Sequence, residues 1–369
     1  MESLATTSAD PALRRLIAHV QEARATQTAL RICGGGSKAF YGNALQGAPL
    51  DLRPLVGISS YEPSELVVTV RAGTLLAELE AALAEHGQCL PFEPPRFGPG
   101  GTIGGMVAAG LSGPARAAVG SVRDYVLGAT LLNGRAEVLS FGGQVIKNVA
   151  GYDLSRLLAG SMGMLGVICE VSLKVLPVPT AVATLRFEID QATALLRLHQ
   201  WGGQPLPLSA SAWWDGALVL RLAGAAAAVQ SAQAKLGGEV IDAPLAAAFW
   251  TGLRDHSDEF FSGAQRAVAA GATLWRLSLP QTAPALALPG EQLVEWAGAQ
   301  RWVCTSAAAG PIREAAAALG GHATRFMAPD RSAATFAPLS APLERYHRAL
   351  KMAFDPDRIF NIGCLYPGI

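Results

Sequence analysis

No stretch of this chain approaches the ~20 consecutive apolar residues of a spanning helix, although half of its 369 residues are hydrophobic. That excludes a transmembrane reading and leaves a large buried interior to be explained. Charge of a prevailing sign is also missing. Basic and acidic residues number 29 each, so there is no general attraction to nucleic acid or an anionic membrane. Cysteine is sparse: Cys33, Cys89, Cys169, Cys304 and Cys364 are scattered and form no CxxC pair. An iron–sulfur cluster or zinc site on this chain is therefore not expected, and reduced thiols in the cytoplasm are. The six histidines form no HxH or HExxH pair, and no metal site is expected. Met1 to Ala9 is polar and small, without the basic start and apolar run of a secretory signal.

What is there fills two domains. Asp10-Pro11 predicts a capped helix start, with Leu13, Leu16, Ile17 and Val20 at helical spacing. Leu30 to Cys33 reads as a short strand, Leu66 to Arg71 as another, and Thr74 as the N-cap of a helix carrying Leu75, Leu79 and Leu83. From Pro91 to Gly120 proline and glycine dominate, and regular structure is expected to return at Val126 to Leu132. Asn133-Gly134 predicts a hairpin with Ala136 to Phe141 as the return strand. Asp153 can cap a short helix. Val167 to Val175 alternates, with Val167, Cys169, Val171, Leu173 and Val175 on one face. After the Pro177-Val178-Pro179 linker, Ala183 to Asp242 reads βαββαβ, the ferredoxin-like unit, and a looser copy spans Thr273 to Met327. Pro342 to Phe354 closes as a helix before an irregular tail.

Three glycine clusters carry the chemistry. Gly34-Gly35-Gly36-Ser37-Lys38 exposes backbone N–H groups that can nest around pyrophosphate oxygens. It has no Walker A spacing, and Phe40-Tyr41-Gly42-Asn43 will not sustain the helix that a Rossmann turn must open. A plain glycine loop is the competing reading. Gly100-Gly101-Thr102-Ile103-Gly104-Gly105, running on to Ser112-Gly113, lets a flat ligand approach backbone closely; its interleaved apolar residues argue against a mere flexible loop. Lys147 to Leu154, followed by Gly160-Ser161-Met162-Gly163 and Gly166-Val167-Ile168, puts a glycine turn before a buried strand.

In order, RICGGGSK, PPRFGPGGTIGGMVAAGLSGP, GSVRDYVLG, KNVAGYDL and GSMGMLGVICEVSLKVLP resemble the FAD domain of the vanillyl-alcohol-oxidase family, with its PCMH-type FAD-binding fold. FDPDRIFNIGCLYP resembles that family's closing motif, with Ile362 where proline is usual. The resemblance covers roughly residues 25–178 and 340–369. KNVAGYDLSRLLAGSMG beside SGPARAAVGSVRDYVLG most resembles the E-type flavin subunits of bacterial glycolate oxidases.

The resemblance implies an α+β fold. Residues 1–178 would form a PCMH-type FAD-binding domain of two subdomains, 180–335 a ferredoxin-like cap, and 336–369 a helix and tail returning to the first domain. It implies FAD held by Gly34, Gly35, Gly36, Ser37 and Lys38 at the pyrophosphate. Gly100, Gly101, Thr102, Gly104, Gly105, Ser112 and Gly113 would line flavin and phosphates. On the same resemblance Ser121, Val122 and Asp124 would form another contacting turn, Gly160, Ser161, Gly163, Gly166, Val167 and Ile168 would pass the adenosine half and ring, and Asn361 would close on the isoalloxazine. No histidine stands in the first loop, so the FAD should be non-covalent. The G-H-x-G-D-G-N-x-H motif of related 2-hydroxy-acid dehydrogenases is absent, since Ala323-Thr324-Arg325 follow Gly321-His322. Arg276 or Arg325 on the cap could bind a carboxylate, against the simpler reading of surface arginines; Lys147, Tyr152 and His347 are further candidates. Three functions stay open: the flavin subunit of a glycolate dehydrogenase complex, a stand-alone 2-hydroxy-acid oxidase or dehydrogenase, and a flavoprotein whose FAD is structural or a relay. The first implies a D-type FAD subunit and an iron–sulfur subunit as partners, with no nucleic acid, and attachment at most to the membrane periphery through them.

Overall fold

The Asp10 side chain accepts the Ala12 N–H and starts the helix Pro11–Thr26, which buries Leu16, Val20 and Ala23. A computed structural model describes residues 10–143, 153–331 and 333–369. The first helix packs on a small parallel pair, Leu30–Cys33 with Ala48–Asp51. The C-terminal tail joins this pair through a parallel bridge between Leu30 and Phe360, so chain start and chain end share one core.

The second layer is a five-stranded antiparallel sheet in the order Ile58–Glu62, Val67–Arg71, Val167–Lys174, Val126–Leu132, Val138–Gly142. Its central strand departs from the alternation expected of it. The register with Val126–Leu132 shifts between the Thr130↔Glu170 and Leu131↔Ile168 pairs. This bulge reverses the side-chain parity. Val167 and Cys169 face the N-terminal core, whereas Ile168, Val171, Leu173 and Val175 share the other. Both faces are covered, and Ser172 is buried as well.

Three further expectations are corrected. Thr74 does not cap the helix Leu76–Ala84; its hydroxyl is taken by the Gly57 N–H at 2.9 Å. The hairpin expected at Asn133-Gly134 forms, but its return strand begins at Val138 rather than Ala136. The Asn133 side chain accepts the Arg135 and Glu137 N–H groups, and Ala136 adopts φ +62°, giving a longer loop. The small-residue stretch is not irregular throughout: Ile103–Ala109 is a helix, begun by Thr102, whose hydroxyl accepts the Gly105 N–H. Its propensity is poor, and burial of Ile103, Met106 and Val107 compensates.

Beyond the linker stands an eight-stranded antiparallel sheet. Glu239–Val240, Ala181–Glu188, Ala217–Gly224 and Leu208–Trp214 form one half, in ferredoxin-like order. Glu291–Glu295, Gln300–Thr305, Thr273–Ser278 and His322–Met327 form the other. The halves join edge to edge where Ala212 to Trp214 meets Leu293 to Glu295. The looser second copy has irregular chain at residues 279–290 where the first has a helix. The fully buried Arg301 holds that segment by donating to the carbonyls of Ala283 and Pro284.

Candidate FAD site

Two glycine loops meet face to face. The first leaves the strand Leu30–Cys33; the second precedes the helix Ile103–Ala109. A Cβ on Gly34 would stand 2.4 Å from Thr102 Oγ1, and one on Gly35 would stand 1.4 Å from the Gly100 carbonyl oxygen. Glycine is therefore demanded at 35 by the second loop, before any ligand is considered. The Ser37 hydroxyl lies 3.5 Å from the Cβ position of Gly101, so the serine stands at the same junction.

These loops form one side of a cavity of about 330 Å³, within the size range of small-molecule sites. From the sequence-predicted set, Gly34, Gly35, Gly36, Ser37 and Lys38 line it, as do Thr102, Gly104 and Gly105, and Gly163, Gly166 and Ile168 with Asn361. The bulge described above is what turns Ile168 to this side. Asn361 ties the walls together: its Oδ1 accepts the Ile32 N–H at 2.9 Å and its Nδ2 donates to the Met162 carbonyl at 2.7 Å.

The remaining predicted residues stand behind the wall or away from it. Gly100 and Gly101 support the first loop. Gly160 lies where a Cβ on Gly110 would touch its backbone at 2.8 Å, and Ser161 donates its N–H to the Leu158 carbonyl. Val167 is in the N-terminal core. Ser112 accepts the Val122 N–H, and Ser121 and Asp124 cap one another. Gly113 meets the cap, where its carbonyl accepts the Trp296 indole N–H at 3.0 Å. Lys147 and Tyr152 lie outside the described residues.

The electrostatics of the cavity are one-sided. Arg31, Lys38 and Arg331 line it and no carboxylate does, among the described residues. Burial pulls the Lys38 ammonium down to about 8, against an opposing pull from Asp255. Arg331 had no sequence signal beyond being an arginine. It donates to the carbonyls of Ala39, Gly42 and Asn43, bracing the end of the first loop. Cationic side chains, free glycine backbone and an apolar remainder fit a ligand with a phosphate-bearing middle and flat ends, as FAD has.

Over this loop the two domains meet in aromatic side chains. Phe40, Tyr41 and Phe97 contact Phe326 of the cap, and His256 stacks on Phe261 at 3.8 Å. His256 was missed from sequence because nothing local marks it. Burial, and then the Arg276 charge, push its pKa down to about 3. Arg276 donates to the Tyr41 hydroxyl at 3.0 Å, with its guanidinium over the Tyr41 and Phe326 rings. Arg325 is not brought beside it. Arg325 pairs in register with Trp275, one residue along from Arg276 and so on the opposite sheet face. It donates to the Ala333 carbonyl and lies 4.0 Å from Asp330. His347 packs against Tyr366 in the C-terminal region.

Comparison with known proteins agrees with this geometry. Residues 13–142 match the family model described as an FAD binding domain. Over 351 residues the chain is 49% identical to the glycolate oxidase subunit GlcE of Escherichia coli strain K12, covering 95% of this chain and 96% of that one. The chain belongs to the GlcE family. The chain is also similar to the glycolate oxidase subunit GlcD of Bacillus subtilis, at 33% over 128 residues, 35% of this chain and 27% of that one. The mitochondrial D-lactate dehydrogenase [cytochrome] of Arabidopsis thaliana matches at 33% over 158 residues, 42% of this chain and 27% of that one. Among solved structures, an alkyldihydroxyacetonephosphate synthase superposes with a TM-score of 0.64 at 16% identity, over 94% of this chain and 74% of that one. That likeness concerns fold, and it extends across the GlcE-type FAD domain and cap together. No helix among the described residues is long and apolar enough to cross a membrane, and no cluster of three potential metal ligands occurs among them.

Proposed function

We propose that this GlcE-family chain is the FAD-binding subunit of a complex that oxidises glycolate, or a closely similar 2-hydroxy acid, to the 2-oxo acid. The observation that carries the reading is the acid-free cavity between the glycine loops and Asn361, with Lys38, Arg31 and Arg331 on its walls. Gly34 to Lys38 would hold the pyrophosphate, the Thr102 to Gly105 segment and Gly163 to Ile168 the flat parts, and Asn361 the closing edge. No histidine lines the cavity among the described residues, which suits non-covalent attachment. Bound FAD would supply a two-electron carrier for that oxidation.

The chain's own residues do the rest of the work only partly. Arg276 offers a guanidinium at the domain junction, where a carboxylate could be oriented. Among the described residues a proton acceptor beside it is harder to find. His256 is held neutral with a pKa of about 3 and is a weak base. This favours a subunit that works with a D-type flavin subunit and an iron–sulfur subunit, at most peripheral to the membrane, over an independent enzyme. Its FAD would then serve as relay or structural element.

The test is stopped-flow reduction of the FAD-loaded chain by glycolate and by D-lactate, alone and with the two partners. The reading expects slow bleaching alone and fast turnover in the complex. Full reduction of the isolated chain within seconds would make it an enzyme in its own right. Absence of bound flavin would refute the cavity assignment.

A further inference from the structure

The C-terminal helix Ala341–Phe354 carries a lysine, Lys351, that is 2% exposed, and the aspartate just beyond the helix, Asp355, is fully buried. Neither faces the cavity. The Lys351 ammonium donates to the Asp355 carboxylate at 2.7 Å, the Phe360 carbonyl at 2.6 Å and the Met164 carbonyl at 2.8 Å. All three of its donors are used. Asp355 in turn accepts the N–H groups of Ile359 and Phe360.

The two carbonyls that Lys351 grips belong to different walls of the cavity. Met164 lies in the turn whose Met162, Gly163 and Gly166 line it; Phe360 precedes Asn361, which lines it from the tail. Asn361 joins the same two segments on the cavity side through Met162, and its Oδ1 also accepts the Ile32 N–H of the first strand. The fit there is tight: a Cβ on Gly163 would stand 2.7 Å from Asn361 Nδ2. Lys351 and Asn361 thus form two parallel ties, one behind the wall and one within it. Burying an ammonium is costly, and burial pulls the Lys351 pKa down against the pull of Asp355. A plain apolar contact would join helix to tail at less cost, but it would leave the Met164 and Phe360 carbonyls without this donor.

We infer that Lys351, with Asp355, is a positioning residue for the cofactor cavity: it sets the separation of the 162–166 turn and the 360–361 tail, and through Asn361 the shape of the wall against the ligand. The inference rests on FAD occupying this cavity.

Two measurements test it. In the wild-type chain, adding FAD should slow hydrogen–deuterium exchange at 162–166 and at 359–364 together; protection of one segment without the other overturns the inference. In the doubly neutral variant Lys351→Met with Asp355→Asn, which leaves no lone buried charge, FAD should bind at least tenfold more weakly. The visible circular dichroism of its bound flavin should change as well. Wild-type affinity and an unchanged visible spectrum in the double variant overturn it too. If the wild-type chain binds no FAD at all, the cavity assignment fails instead, which separates the two outcomes.

Discussion

Gly35 and Gly100 touch so closely that a methyl group on Gly35 would fall 1.4 Å from the Gly100 carbonyl oxygen. The neighbour is backbone and cannot rotate away. Gly35→Ala must therefore push the two loops apart, an overpacking that costs about 1–3 kcal/mol. The same movement would open the cavity wall. We expect a lowered melting temperature and loss of most bound flavin, read as the ratio of absorbance near the flavin band to protein. Full flavin occupancy in Gly35→Ala would show that loop contact is not what holds the site together.

With FAD in this cavity, Lys38 should make its binding pH-dependent. Burial leaves its folded pKa at about 8 instead of 10.5. In the apoprotein the cavity therefore carries this cation fully below about pH 7 and loses it as pH rises through 8. A ligand with a pyrophosphate binds the charged form better, so FAD affinity should be flat below about pH 7 and fall above 8. Apoprotein stability should move the other way: between about 8 and 10.5 the unfolded chain holds the extra proton, so the Lys38 contribution rises with pH. Fluorescence titrations with FAD from about pH 6 to 9.5 measure the first effect. Lys38→Gln should bind more weakly at neutral pH and lose the slope; a slope that survives in Lys38→Gln assigns it to another group.

Local signals were legible in the sequence where the chain's neighbours along the sequence set the structure. Asp10-Pro11 starts its helix without outside help, the Asp190 side chain caps Gln191–Gly202 by accepting the Thr193 N–H, and Asp215 and Gly216, both at positive φ, turn Leu208–Trp214 into Ala217–Gly224. The glycine clusters were equally visible. Tertiary contacts were not. The helix Ile103–Ala109 forms despite its glycines because it is buried. The bulge opposite Leu131 reverses the face of Ile168 although the residues alternate cleanly. In the second half an irregular segment stands where the first half has a helix, and Arg301 holds it by long-range carbonyl contacts. Arg331 and His256 owe their places to residues far off in sequence, and no spacing announces them.

Glu295 sits at the seam of the two cap halves, where its carboxylate accepts the Trp302 indole N–H at 2.6 Å and the Gln300 amide at 3.0 Å. Burial outweighs those bonds and pushes its pKa up to about 7 from 4.5. The folded chain thus holds a proton that the unfolded chain has released. Its contribution to stability is complete below about pH 4.5 and is lost as pH rises through 7. Glu295→Gln retains an acceptor for Trp302 and removes the titration. The variant should show a shallower fall of unfolding free energy between about pH 5 and 7.5, by on the order of 1–3 kcal/mol across the window. Asp258, pushed up to about 6, acts in the same direction, so some slope will remain. Parallel curves for wild type and Glu295→Gln would refute the assignment.

Arg276 and Arg325 were indistinguishable in sequence, and the structure separates them by sheet face. Arg276 reaches across the domain junction to the Tyr41 hydroxyl, and Tyr41 lines the cofactor cavity. Arg325 is occupied by Ala333 and neighbours Asp330 on the far face. If 2-hydroxy acid reaches this chain's flavin, Arg276 is placed to orient its carboxylate and Arg325 is not. Arg276→Lys keeps the charge but loses the planar fork. A charge-assisted hydrogen bond is worth about 1.5–3 kcal/mol, so KM for glycolate in the assembled complex should rise roughly 10- to 100-fold, with flavin content unchanged. Tyr41→Phe removes only the hydroxyl partner and should shift KM less. Arg325→Lys should leave KM unaltered and act, if at all, on thermal stability. Steady-state kinetics of the three variants, each reconstituted with its partners, read this out. Equal KM values for Arg276→Lys and wild type would place substrate recognition in the D-type subunit and leave Arg276 as the cap's anchor on the cofactor loop.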